Sequence, residues 1–440
     1  MKRFALEKLL AWKADPKHRP LIVRGARQVG KTWLIEQFAK ENYRNYLYLN
    51  FDQSAHSGIG RSLFDLFQES LEPERIVKAL ETLFNTTVST DDTLLFFDEV
   101  QEQPRALQSL KYFNEQAPGY DIIAAGSQMG IAMHAGVSIP VGKVDMMYMY
   151  PMTFAEFLCA TGQEKLAEAL AEQDWRLTNS LHGAIIESLR NYLCIGGMPA
   201  VVQDFVERDN LTRTRDLQRD VLDLYRVDFS KHAPANQLAR IWQIWDSIPR
   251  HLAQENKKFI WGAVRPGARA KDFEIAMQWL FDYGVAGKVE RISKPGLPLK
   301  AYAEANVFKL YLSDVGLLGA LAELPVNSLL TGDAAFTEFK GALTEQYVFQ
   351  QLVAHAGGGP QGSRPFYWTG RAAEVDFVMQ FDGEIIPVEV KAKENLRSQS
   401  LKVYYQRYAP SKAIRTSLSP YREQDWLVNV PLYAVEQLPL

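Results

Sequence analysis

An α/β fold of more than one domain follows from three features of the 440-residue sequence. A short apolar run, Leu21-Ile22-Val23, leads into a glycine-bracketed loop and then into a helical stretch containing Trp33, Leu34, Gln37 and Phe38. A continuous apolar run from Thr93 to Phe97 ends on two acids, Asp98-Glu99. Near the C-terminus two strand-like runs, 374–379 and 385–391, flank an Asp382-Gly383 turn. At roughly 100–200 residues per domain, the length suggests two to four units.

Composition agrees with a folded chain: 47% of residues are hydrophobic and 23% charged, so nothing points to disorder. Cys159 and Cys194 lack the spacing of a zinc site or the density of a secreted scaffold, which favours a reducing cytoplasm. Glu7 and Lys8 interrupt any signal-peptide apolar stretch, while Leu6, Leu9 and Leu10 fit an amphipathic helix. No uncharged apolar run approaches the ~18 residues of a membrane span, so no membrane role is expected. A net charge of −3 argues against wholesale coating of nucleic acid but leaves room for a local basic site.

The loop reads Gly25-Ala26-Arg27-Gln28-Val29-Gly30-Lys31-Thr32. Its glycines let successive backbone N–H groups point inward at phosphate oxygens, and the following helix adds the partial positive charge of its N-terminus. In this P-loop pattern Lys31 reaches the β- and γ-phosphates of ATP and Thr32 offers a hydroxyl to Mg²⁺. Such a loop needs a carboxylate on a neighbouring strand. The apolar run ending at Asp98 suits a strand buried on both faces, so Asp98 is expected to bind Mg²⁺ through water and Glu99 to polarise the attacking water. Runs at 45–51, 121–128 and 143–150 complete a parallel sheet, with Ser127 or Gln128 at a strand end where it can sense the γ-phosphate.

Five strands with intervening helices, and a Glu beside the magnesium Asp, resemble the AAA-like branch of P-loop ATPases. Together with Phe97-Asp98-Glu99-Val100-Gln101, Gly126-Ser127-Gln128, the run from Pro151 to Leu158 and Gly196-Gly197-Met198-Pro199, the loop resembles a widespread prokaryotic family. Its members join an AAA-type ATPase to a C-terminal domain of unknown function with a restriction-endonuclease-like core. The resemblance spans nearly the whole chain and implies that fold and ATP binding; it supplies no biological process.

The expected organisation is an ATPase domain over 1–158, a helical lid over 159–247, a winged-helix-like domain over 248–325 and a restriction-endonuclease-like domain over 326–440. In the lid, Trp175, Leu177, Leu181, Ile185 and Leu189 are spaced as one buried helical face. Arg213, Arg215, Arg219 and Arg226 are candidates to reach a neighbour's γ-phosphate in a homo-oligomer. A turn at Pro266-Gly267, a helix through Phe273 and Leu280, and strands at 285–292 and 308–312 fit a winged helix. Arg265, Arg269 and Lys271 flank its second helix, where DNA would be read.

If Asp382-Gly383 is a two-residue hairpin turn, Phe381 pairs with Glu384, Asp376 faces Glu389 and Glu374 faces Lys391. Alternation puts these four on one face and Val375, Phe377 and Met379 with Val390, Val388 and Ile386 on the other. Two carboxylates about 5 Å apart repel by roughly 3 kcal/mol at an effective dielectric of 20, so the face wants a cation, from Lys391 or a bound Mg²⁺. This arrangement resembles restriction-endonuclease-like nucleases. The resemblance implies that Asp376 and Glu389 hold Mg²⁺, that Lys391 positions or deprotonates water, and that Glu345 is the acid contributed by a helix. A strand near 366–368, a helix at 398–407 and a strand at 413–418 complete that core. Two functions follow: an ATPase whose nucleotide cycle controls a nuclease-like domain that cuts or binds DNA, or a signalling ATPase with an inactive docking domain.

Overall fold

Apolar runs of four to six residues form the N-terminal sheet: β1 (Leu21–Arg24), β2 (Asn45–Asn50), β3 (Thr93–Asp98), β4 (Asp121–Gly126) and β5 (Asp145–Tyr148). All pairings are parallel, in the order β2-β3-β4-β1-β5. β3 is buried along its whole length, as its unbroken apolar run demands, whereas edge strand β2 buries only Leu47 and Leu49. Parallel strands all end at one edge, so the loop after β1, the acids after β3 and Ser127 after β4 emerge together there. The computed structural model describes residues 1–52, 59–127, 139–326, 334–356, 364–392 and 397–438; Gln128 lies outside them. The chain divides into two compact units, Arg3–Tyr150 and Pro151–Leu440 with the first two residues.

The second unit opens with helices. The expected continuous face through Trp175 and Leu189 does not form, because the chain breaks at Leu181 into Trp175–Ser180 and His182–Ile195. The break resets the helical phase: Ile185 and Leu189 are buried, Leu177 and Leu181 are exposed, and Trp175 stacks flat on Tyr421 with centroids 4.2 Å apart. The paired glycines before Pro199 serve close packing. A Cβ on Gly197 would lie 2.1 Å from the Met152 carbonyl oxygen, and one on Gly196 2.2 Å from Asp314 Oδ1. Asp314, fully buried, accepts hydrogen bonds from the Gly197 amide at 2.6 Å and from Gln350 at 3.2 Å.

Helices Leu238–Ala253, Trp261–Val264 and Ala270–Tyr283 are followed by β6 (Ala286–Ile292) and β7 (Ala303–Leu312), an order that suits the expected winged helix. The hairpin is not a free wing. β6 pairs in parallel with β8 (Phe366–Thr369), and the sheet continues through β9 (Glu374–Phe381), β10 (Glu384–Val390), β11 (Ala413–Ser417) and β13 (Leu427–Pro431) to the two-residue β12 (Arg422–Glu423). The expected division at 325/326 therefore falls inside one eight-stranded sheet. The Asp382-Gly383 turn has positive φ at both residues, 46° and 78°, and sets the β9–β10 register from Phe381↔Glu384 to Phe377↔Val388. Leu401 and Tyr404 of helix Gln399–Tyr408 cover Trp368, Val375 and Val378 on the sheet. Among the described residues no helix is long and apolar enough to cross a membrane.

Candidate nucleotide and carboxylate sites

At the sheet edge, Gln28 and Gly30 take left-handed conformations, φ 70° and 88°, and curl the loop into helix Lys31–Asn42. A side chain at Gly25 has no room, since its Cβ would sit 2.3 Å from the Met149 carbonyl oxygen. Lys31 folds back over the loop and donates to the carbonyls of Gly25 and Ala26 at 2.9 and 2.8 Å. Burial lowers its pKa to about 8, against the attraction of Glu99 and Asp98, with Arg27 lowering it further. Thr32 Oγ1 donates to Asp98 Oδ2 at 2.9 Å, bringing together the two groups expected at Mg²⁺. The Tyr48 hydroxyl, which the sequence did not single out, donates to the same oxygen at 2.9 Å. Burial and then the neighbouring Glu99 hold Asp98 above the ordinary carboxylate range. Glu99 itself has φ 49°, and its Oε2 accepts from Gln101 Nε2 at 2.6 Å and from Ser127 Oγ at 3.2 Å.

The C-terminal acids meet around lysines. Lys309 on β7 is fully buried, with its Nζ 2.6 Å from Glu374, 3.3 Å from Glu345 and 3.7 Å from Asp376. Lys257 pairs with the other oxygen of Glu345, and the Tyr311 hydroxyl donates to Glu345 Oε2 at 3.1 Å. Burial opposes the charge on Lys309, but Glu345 and the other acids outweigh it and keep it protonated. Burial and the adjacent Glu345 raise Asp376, whose Oδ2 accepts from the Val390 amide at 2.8 Å. Glu345 is held low: burial works against its charge, yet Lys257 and Lys309 prevail.

Two expected pairings change. Glu374 contacts Lys309 rather than Lys391, and Lys391 pairs with Glu389 at 2.9 Å. The β9–β10 ladder ends at Phe377↔Val388; beyond it β10 pairs with β11, carrying Lys391 away from Glu374. Glu389 is 3% exposed and its Oε2 has no hydrogen-bond partner. Among the described residues no group of three His, Cys, Asp or Glu side chains is arranged to hold a metal ion. The reading of the sequence missed Lys257, Lys309 and Tyr311; the available signal was a lysine inside the apolar strand Phe308-Lys309-Leu310. Of the lid arginines, Arg215 is buried against Gln218 and the Gly316 carbonyl and cannot reach a neighbour. Arg213, Arg219 and Arg226 pair with Asp204, Asp216 and Asp246.

Three family models match successive parts of the chain: an AAA domain over residues 17–158, domain of unknown function DUF8612 over 186–328 and domain of unknown function DUF4143 over 340–435. No curated protein matches. Matching solved structures include the Walker-type ATPase PABY2304 of Pyrococcus abyssi, at 15% identity over 73% of this chain and 95% of that one, with a TM-score of 0.45. The Orc1 protein of Aeropyrum pernix, solved in complex with DNA, matches at 14% identity over 74% and 92%, with a TM-score of 0.29. Cdc6p of Pyrobaculum aerophilum matches at 12% over 74% and 93%, with a TM-score of 0.25. The AAA match and the loop-and-acid geometry coincide on the same residues, and the protein carries an AAA-type P-loop ATPase domain.

Proposed function

We propose that the protein hydrolyses ATP at the edge where Lys31, Thr32, Asp98, Glu99 and Ser127 converge. The observation that carries this reading is the 2.9 Å hydrogen bond between Thr32 and Asp98, two residues far apart in sequence whose joint role is to hold Mg²⁺. The fit is chemical as well: a buried acid raised by a neighbouring carboxylate gains from a cation. Bound there, Mg²⁺ supplies positive charge to the β- and γ-phosphates. Lys31 leaves its two carbonyls to meet the phosphates, and Glu99 accepts a hydrogen bond from the attacking water. Lys31→Ala is expected to abolish hydrolysis and weaken nucleotide binding strongly. Glu99→Gln keeps binding and loses turnover. Wild-type turnover in Glu99→Gln, measured as phosphate release, would show that the acid after β3 is misassigned.

For the second unit, the reading is a nuclease-like site at Asp376, Glu389 and Lys391, assisted by Glu345, acting on or binding DNA under control of the nucleotide cycle. Its support is the open Glu389 Oε2, buried with no partner while Lys391 holds the other oxygen. Asp376 and Glu389 would hold Mg²⁺ there. Asp376→Ala and Glu389→Ala should each lose Mg²⁺- or Mn²⁺-dependent cleavage of plasmid or single-stranded DNA while ATP hydrolysis persists. A specific observation favours the rival, non-cutting reading: Lys309 already lies among Glu345, Glu374 and Asp376 as their counter-ion. Absence of cleavage with every metal in the wild-type chain would decide for that docking role.

A further inference from the structure

Gln101 lies in the short 3-10 turn Val100–Glu102 that directly follows Glu99. Its Nε2 donates to Glu99 Oε2 at 2.6 Å, and the Ser127 hydroxyl donates to that same oxygen at 3.2 Å. The other end of the Gln101 amide has no mate: Oε1 is buried and accepts no hydrogen bond. Leaving a buried acceptor unsatisfied costs about 1–3 kcal/mol, so such a group calls for a donor that arrives in another state of the protein. Reversing the amide offers no relief, because Oε1 would then face a carboxylate that has only acceptors. Glu99 is held at φ 49°, a backbone conformation that non-glycine residues adopt at a cost and that clusters at functional sites.

We propose that Gln101 is a positioning residue for ATP hydrolysis. Its NH₂ group and the Ser127 hydroxyl together occupy Glu99 Oε2 and leave Glu99 Oε1 to accept from the attacking water. Gln101 Oε1 accepts the second O–H of that water and so fixes its orientation with two acceptors instead of one. As the water oxygen bonds to the γ-phosphorus, the bond from phosphorus to the bridging oxygen breaks and its electron pair leaves with ADP. One water proton passes to Glu99; the other stays on the product phosphate. The inference rests on the hydrolysis reading above and adds to it a residue outside the loop and the magnesium acids.

The test is steady-state hydrolysis and nucleotide binding in the full chain carrying Gln101→Met, Gln101→Glu, Glu99→Gln and the Gln101→Met/Glu99→Gln pair. Gln101→Met should lower kcat roughly 10- to 100-fold, the range for a misplaced reacting group, with KM and Kd for ATP within about twofold of wild type. Gln101→Glu, which keeps the shape and replaces the donor by an acceptor, should fall at least as far, which separates the effect from loss of packing. In the Glu99→Gln background Gln101→Met should add no further loss, since it acts through a carboxylate that is already gone. A Gln101→Met enzyme with wild-type kcat overturns the proposal. So does parallel loss of ATP affinity, or an equal loss of rate in the Glu99→Gln background. A wild-type chain without ATP turnover removes the hydrolysis reading as well, whereas wild-type turnover with an indifferent Gln101 removes the proposal alone.

Discussion

Lys31 links nucleotide binding to pH. Burial brings its pKa to about 8, whereas an unfolded lysine keeps its proton to about 10.4. Between these values the unfolded chain binds more protons, so this residue's contribution to stability is present above the unfolded pKa and is lost as pH falls through 8. A triphosphate favours the charged amine, so ATP binding at pH 9 should take up roughly one proton, and at pH 6.5 almost none. Calorimetry in buffers of different ionisation heat measures this directly, and equal uptake at both values would remove Lys31 as the source. Gly25→Ala should destabilise by about 1–3 kcal/mol in denaturant unfolding, because its Cβ has only the Met149 carbonyl to push against. These residues were legible because a phosphate loop is a local signature. Tyr48 was not: nothing in its own run, Asn45 to Asn50, shows that β2 will lie beside β3 with Tyr48 reaching Asp98.

Among elements, the β9–β10 hairpin was the most readable part of the second unit, since a two-residue Asp-Gly turn leaves little freedom in the pairing. What the turn cannot specify is where the strands part, and the expected Glu374–Lys391 pairing failed at that point. The lysine that replaces it comes from β7, more than sixty residues earlier by number, so no local pattern could announce it. Removing one partner of a buried ion cluster typically costs about 3–5 kcal/mol. Lys309→Met should show a loss of that order in chemical denaturation, and adding Glu345→Gln should return part of it by removing an uncompensated charge. The C-terminal 3-10 turn Leu432–Gln437 carries a second buried acid. Burial raises Glu436 to about 7, although its Oε1 accepts from the Ala155 amide at 2.9 Å. With the folded pKa raised, its stabilising contribution is complete below the unfolded value near 4.5 and is lost as pH rises through 7. Glu436→Gln should therefore raise the unfolding temperature at pH 8 and leave it almost unchanged at pH 4.5, as pH-dependent thermal melts will show.

In the whole molecule, sequence patterns identified most elements of the second unit but divided them wrongly, because strand partners are set by the completed sheet and not by the interval between motifs. The winged-helix-like hairpin and the carboxylate hairpin belong to one sheet joined by the parallel pair β6–β8, and the acids of one are neutralised by Lys257 and Lys309 from the other. A fragment from residue 336 onward lacks that sheet edge and both lysines. It should fail to show a cooperative transition by circular dichroism, whereas a fragment beginning at Pro151, which retains the whole unit, should melt cooperatively; a cooperative melt of the shorter piece would disprove the dependence. The β6–β8 pairing also bears on inheritance. Segments 248–325 and 326–440 sit consecutively in the chain like separable cassettes, yet recombination between them would cut a sheet in half and strand buried acids without their cations. Lineages that diversify this protein can exchange the P-loop unit as a block, but the remainder has to travel together.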